Sequence, residues 1–293
     1  PNGKPFWGGT YFRKEDWKKQ ILGLANAYQN DRAKVIEYAD RLAKGIRQVE
    51  NIGLNTAVIN FTWKDLNNMV SPWAERFDNT EGGSNGSPKF PMPNAYHFLL
   101  KYAHLSNNKL VLDHVELTLD KMAFGGIYDQ IGGGFARYSV DKLWKAPHFE
   151  KMLYDQAILV QAYLDAFQAT NDPYYSTVAI EILDYVLRDM TSEKGGFYSA
   201  EDADSEGEEG KFYVWSVNQL DEILGTEDSE FYQKVFNIRK GGNWNEGYRH
   251  KTNIPHLTKN ISQLASQFNQ TEKELIEKIE NIRTKLFNVR EER

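Results

Sequence analysis

Two stretches of this sequence carry residue types that could move protons. The first runs Gly125-Gly126-Ile127-Tyr128-Asp129-Gln130-Ile131-Gly132-Gly133-Gly134-Phe135-Ala136-Arg137-Tyr138 and continues through Trp144 into Pro147-His148-Phe149-Glu150. Proline suits the first turn of a helix, so a helix over 148–170 is expected to hold His148 and Glu150 at its N-terminus. The partial positive charge there favours a carboxylate and disfavours a charged imidazole. His148 is then a neutral base or a hydrogen-bond donor. The plainer alternative is that Glu150 caps the helix and His148 bonds a loop carbonyl.

The second stretch places six carboxylates in nine residues, Glu201-Asp202-Ala203-Asp204-Ser205-Glu206-Gly207-Glu208-Glu209. Asp202, Asp204, Glu206 and Gly207 fit the start of an EF-hand calcium loop, but its twelfth position falls on Tyr213, where a bidentate Glu is required. The calcium reading fails. Either the segment is a solvated acidic turn, or Asp202 and Asp204 face a cleft for acid/base work or for binding sugar hydroxyls. A third stretch, Gly242–His256, mixes amides, aromatics and two histidines, which suits a polyhydroxylated ligand and equally an ordinary Gly/Asn-rich loop. His97, His104 and His114 lack a two-histidine ligand spacing and read as packed or surface residues.

Other chemistries are excluded. The Gly-rich stretch has no Gly-x-x-x-x-Gly-Lys-Ser/Thr, and no strand feeds it as a dinucleotide fingerprint would need. There is no Gly-x-Ser-x-Gly elbow. With no Cys in 293 residues, disulfides and thiolate ligands are absent. Lys and Arg number 35 against 41 Asp and Glu, a net charge of −6, which offers no positive excess for a nucleic acid. No apolar run approaches the roughly 18 residues of a membrane span. Aromatic residues reach 13%, enough for a large core and also for a cleft that stacks on ring-shaped ligands.

Helices must position these loops. Apolar periodicity predicts helices over 14–30, 32–50, 62–77, 94–105, 108–123, 148–170, 174–190, 217–225 and 228–237, with a charged helical pattern from Thr271 to Arg293. The Gly/Ser/Pro-rich segment 79–93 is too long for a bare connection. Its prolines at 88, 91 and 93 make it an ordered segment rather than a linker. A repeat is visible: one helix ends before Gly125-Gly126-Ile127-Tyr128, and another, seventy residues on, before Gly195-Gly196-Phe197-Tyr198. Repeated helical pairs bury their faces against neighbours, and closed on themselves they make an α/α toroid with its loops gathered at one end. The opening Pro1-Asn2-Gly3 reads as a hairpin turn whose first strand lies upstream, with an aromatic strand-like run after it.

The motifs Gly125–Asp141, Pro147–Asp155 and Gly195–Gly207, with Gly3–Phe12 and Ser87–Pro91, resemble the thioredoxin-domain-containing YyaL / spermatogenesis-associated protein family along nearly the whole chain. The resemblance implies a mainly α fold. Residues 1–30 would be the C-terminal strand and helix of a thioredoxin-like domain. Residues 31–293 would be the N-terminal part of an (α/α)6 toroid of the six-hairpin glycosidase type. The chain would be an internal fragment, with exposed apolar surface where the rest of the toroid belongs. The upstream thioredoxin-like domain and the downstream toroid half would be its partners. Toroids of this type occur in sugar epimerases and glycosidases, which is an analogy of fold.

The expected function is carbohydrate-active, epimerase/isomerase-like or glycosidase-like, with a sugar ligand. His148, Glu150, Asp202 and Asp204 are the expected catalytic groups. Tyr128, Arg137, Tyr138 and Trp144 are expected to line the cleft. No cofactor, metal, nucleic acid or membrane is expected, and the lack of Cys together with the resemblance suggests the cytoplasm. The rival expectation is a non-catalytic binding scaffold that works with the thioredoxin-like domain.

Overall fold

A computed structural model describes residues 3–50, 60–244 and 251–293. The chain divides into two compact units, Pro1–Thr62 and Trp63–Arg293.

The first unit holds α1 (Lys14–Asn30) and α2 (Arg32–Glu50). They meet at Asp31, whose non-helical backbone (φ −140°, ψ 47°) ends α1. Pro1 and Asn2, and with them the expected hairpin turn, lie outside the described residues. Residues 4–13 form no strand. Their aromatics cluster instead: Trp7 packs on Phe12 and Trp17 at ring separations of 5.4 and 6.2 Å, and Phe6 lies 6.3 Å from Tyr28. Phe6, Trp7 and Phe12 are half-buried by these ring contacts, while Tyr11 and Trp17 stay exposed.

The second unit is built from helical pairs. Its helices are α3 (Trp63–Ala74), α4 (Pro93–Ser106), α5 (Lys109–Phe124), α6 (Leu153–Thr170), α7 (Pro173–Arg188), α8 (Val217–Val235), α9 (Ile261–Phe268) and α10 (Glu272–Arg290). Asn108 caps α5 by accepting from the Val111 N–H, and Asp172 caps α7 by accepting from the Tyr174 N–H. Capping boxes open α8, α9 and α10 at Ser216, Asn260 and Thr271. Residues expected as two short helices run together as α8, kinked at Gly225 (φ 74°). The pair α4/α5 packs on α6/α7 around Leu99, Val115, Leu119, Leu159 and Ile182. A second core gathers α8, α9 and α10 around Trp215, Leu220, Tyr232, Leu275 and Leu286. Ile180, Leu183 and Leu187 leave one side of α7 apolar and exposed.

Short strands hold the loops. β1 (Tyr138–Ser139) pairs antiparallel with β2 (Pro147–His148), β3 (Lys151–Met152) with β4 (Ala200–Glu201), and β5 (Asp204–Ser205) with β6 (Glu208–Glu209). The second pair ties the start of α6 to the loop that follows α7. This corrects one expectation. Pro147 and His148 are strand residues, and α6 begins at Leu153, so neither His148 nor Glu150 sits at a helix N-terminus. The physical reason is tertiary. Backbone pairing with Tyr138 and Ser139, continued by the Arg137 N–H donated to the Glu150 carbonyl at 2.8 Å, satisfies groups that a helical turn would otherwise have used.

The Gly-rich loop is packed. Gly134 has φ +77°, and a Cβ there would lie 2.5 Å from the Tyr185 ring. Beneath it Asp129, 6% exposed, accepts from Lys151 at 3.0 Å and from Arg290 at 2.9 Å, both cations being 3% exposed. Burial would raise the Asp129 carboxyl, but these two cations outweigh it and hold it far below the carboxylate range. Lys151 also donates to the Gly133 carbonyl and lies over the Tyr185 and Tyr213 rings. Both tyrosine hydroxyls donate to Glu201, at 2.6 and 2.7 Å. The loop joining α3 to α4 is ordered in a similar way. Lys89, 3% exposed, donates to Asp78 and to the Gly82 carbonyl at 2.7 Å each. Burial opposes ionisation of Asp78, yet Lys89 and the Thr80 and Glu81 N–H groups bring its pKa down to about 2.

Candidate functional site

Three segments meet around His148. Strand pairing sets its ring 5.1 Å from that of Tyr138. A backbone bridge between Lys89 and Ser139 brings up the second segment, so that Phe90, 47% exposed, lies 4.9 Å from Tyr138. The third segment is the acidic hairpin β5–β6. Its Glu209 Oε1 accepts from His148 Nδ1 at 2.7 Å. With Nδ1 as the donor, a neutral ring presents Nε2 as its acceptor nitrogen. That atom lies 4.0 Å from Glu150 Oε2, which accepts from Arg137 at 3.1 Å.

The result is a row of rings, Phe90, Tyr138 and His148, beside two carboxylates and a guanidinium. The side chains of His148, Glu150, Glu209 and Arg137 are all partly open to solvent, 28–44% exposed. Close by, Asp155 stands in the first turn of α6. Burial pushes it up to about 6, against the pull of Arg137 and with the push of Glu150. Its buried Oδ2 has no hydrogen-bond partner among the described residues. An imidazole oriented by a carboxylate can take or return a proton, and exposed ring faces can receive the apolar face of a sugar.

Of the eight residues expected at the site, His148, Glu150, Arg137 and Tyr138 come together. Asp202 and Asp204 do not join them. Both are exposed, and Asp202 Oδ1 accepts from the Asp204 N–H at 3.0 Å. Asp204 does have an indirect part, since its Cα partner across the hairpin is Glu209. Trp144 is fully buried, with its indole N–H donated to the Glu81 carbonyl at 2.8 Å. Tyr128 is buried as well, and its hydroxyl donates to Glu181.

Sequence reasoning missed Glu209, Phe90 and Asp155. Glu209 was one of six carboxylates that nothing local distinguishes. The Ser87–Pro91 motif was the only signal near Phe90. The third stretch is structural where it is described: Asn243 bonds both the N–H and the carbonyl of Ile254, Asn253 is fully buried, and His256 donates Nδ1 to the Ile254 carbonyl. Residues 245–250, with Tyr248 and His250 among them, lie outside the described residues. His114 is the packed histidine expected, with its ring 3.6 Å from Phe77 at an interplanar angle of 4°. His97 pairs with Asp165.

No family model matches the chain. It is similar to spermatogenesis-associated protein 20 of Homo sapiens, 39% identical over 241 residues that cover 76% of this chain and 31% of that protein. Its likeness to the Mus musculus protein of the same name is 37% over 241 residues, 76% of this chain and 30% of that one. The chain thus spans about a third of the length of the curated relatives it matches. The relatives bear the name that the motifs resemble. Among solved structures it is similar to a sugar epimerase from a ruminal bacterium (TM-score 0.42, 13% identity, 74% of this chain and 67% of that one). It is also similar to the cellobiose 2-epimerase of Spirochaeta thermophila (TM-score 0.39, 25% identity, 45% of this chain and 36% of that one). Among the described residues no helix is long and apolar enough to cross a membrane, and no group of three or more His, Asp or Glu side chains is placed to hold a metal ion.

Proposed function

We propose that this chain carries the polar site of a carbohydrate-active protein, epimerase/isomerase-like or glycosidase-like, centred on His148. The observation that carries the reading is the 2.7 Å bond from His148 to Glu209 beside the half-buried ring of Tyr138 and the exposed ring of Phe90. Epimerisation needs a base on one face of the sugar and an acid on the other. His148 Nε2 is the base in this proposal, Glu209 orients the imidazole, and Arg137 and Glu150 bind hydroxyl groups. Asp155, buried beside them, is a candidate acid. Hydrolysis would instead need two carboxylates, about 5–5.5 Å apart for retention and about 6.5–9.5 Å for inversion.

The alternative is a non-catalytic binding scaffold working with a thioredoxin-like domain, to which residues 1–30 would belong. The exposure of Asp202 and Asp204, neither of which bonds His148, supports it. A thermal-shift screen of mono- and disaccharides separates the two readings, because a ligand that binds only the folded state raises Tm. A sugar-specific rise that is lost in both His148→Ala and Glu209→Ala supports the carbohydrate site. A cooperative melt unmoved by every sugar supports the scaffold.

A further inference from the structure

The His148 cluster makes no use of the cavity enclosed by α5, α7, α9 and α10. Its volume is about 530 Å³, within the range of small-molecule sites. One wall is aromatic and apolar: Phe124 and Tyr174, with ring centroids 5.5 Å apart, stand with Phe236 and Ile279. The rest is acidic. Asp120, Asp172, Glu181, Glu272 and Glu280 all line it, against a single cation among the lining residues, Arg283.

That cation is already neutralised, because Arg283 donates to Glu181 and to Glu280 at 2.7 Å each. Asp120 has a neutral partner, the Tyr175 hydroxyl, and forms no ion pair with a cation among the described residues. Asp172 accepts from the Tyr174 N–H and lies close enough to Asp120 to raise it further. Burial is the main cause that brings Asp120 up to about 6, with Asp172 and Glu116 adding to it. A partly buried carboxylate, Asp120, with the exposed Asp172 near it and aromatic rings beside it, has the chemistry that recognises an amine. The rings attract the cation through their faces and the carboxylates through charge. A bare metal ion fits less well, since one wall is apolar and no three His, Asp or Glu side chains converge to hold an ion among the described residues.

We infer that this cavity binds a small organic ammonium ion, with Asp120 and Asp172 as its counter-charge and Phe124 and Tyr174 as its wall. The site shares no residue with the His148 cluster, so it stands or falls apart from the proposed sugar chemistry.

Calorimetric titration at neutral pH with diaminobutane, and with butanediol as the uncharged analogue, tests the inference. Saturable binding of the diamine and none of the diol is expected. Asp120→Asn should weaken the diamine about tenfold or more, as for loss of a charge-assisted hydrogen bond. Thr177→Trp, at an exposed position on the rim, should block it, and this variant keeps the test open if Asp120→Asn folds poorly. The absence of diamine binding would overturn the inference. So would equal binding of the diol, equally effective competition by magnesium at matched ionic strength, or binding unchanged in Thr177→Trp.

Discussion

His148 Nδ1 and Glu209 Oε1 lie 2.7 Å apart although 61 positions separate them in the chain. The contact joins the strand that precedes α6 to the hairpin that follows α7, the two loops in which the sequence concentrates its titratable residues. Both side chains are partly exposed, so their coupling should be small, about 0.5 kcal/mol in a double-mutant cycle of His148→Ala and Glu209→Ala. Strictly additive single variants would show that the two groups do not meet in solution.

The Asp129–Lys151–Arg290 cluster should be costly to break. Asp129→Ala leaves two buried cations unpaired, and such a loss costs about 3–5 kcal/mol. Urea unfolding should show it as a lower midpoint. Lys151 follows Glu150 directly, so the same variant should also weaken any sugar-dependent rise in Tm. A variant as stable as the parent would contradict the geometry.

Gly134→Ala should destabilise by about 2 kcal/mol or more, since it adds a left-handed backbone penalty to a clash with Tyr185. Gly195→Ala, at a similar φ but with open space around its Cβ, is the control and should cost less.

Two buried groups should tilt the pH dependence in opposite directions. Burial lowers His114 to about 4. The folded state therefore holds fewer protons there than the unfolded state, and stability is lost as pH falls from about 6.5 toward 4. His114→Gln should flatten that acid limb. Asp120, raised to about 6 mainly by burial, behaves the other way. Its folded form holds more protons than its unfolded form between about 4 and 6, so its stability penalty grows as pH rises through that window. Asp120→Asn should therefore stabilise by about 1–3 kcal/mol at pH 8 in the absence of amine, and by nothing below about pH 4. Urea midpoints at acid and alkaline pH measure both, and a gain from Asp120→Asn that did not depend on pH would refute the assignment.

The sequence by itself determined most of the helices. Apolar residues recurring at helical spacing mark α1, α2, α4, α5 and α7 to within a residue or two of their ends, because a helix hides one face and that requirement is written locally. It missed α9, which is only eight residues long and too short to display a period. It also identified which loops hold titratable chemistry, with Arg137 and Tyr138 in one of them and His148 and Glu150 expected at the head of the helix that follows it.

What only the tertiary structure decided is which of these groups meet. The start of α6 moved from 148 to 153 because backbone pairing with β1 and β4 claims the residues between. Glu209 is the carboxylate of the acidic hairpin that bonds His148, although Asp204 is its Cα partner across β5–β6. Trp144 and Tyr128 are buried by contacts remote in sequence. Trp144 donates its indole N–H to the Glu81 carbonyl, and Tyr128 donates its hydroxyl to Glu181, where it also lines the cavity beside α7. Local pattern fixes which surfaces must be hidden. Contacts between residues far apart in the chain depend on how the hidden surfaces pack, and no window of the sequence contains both sides of that contact.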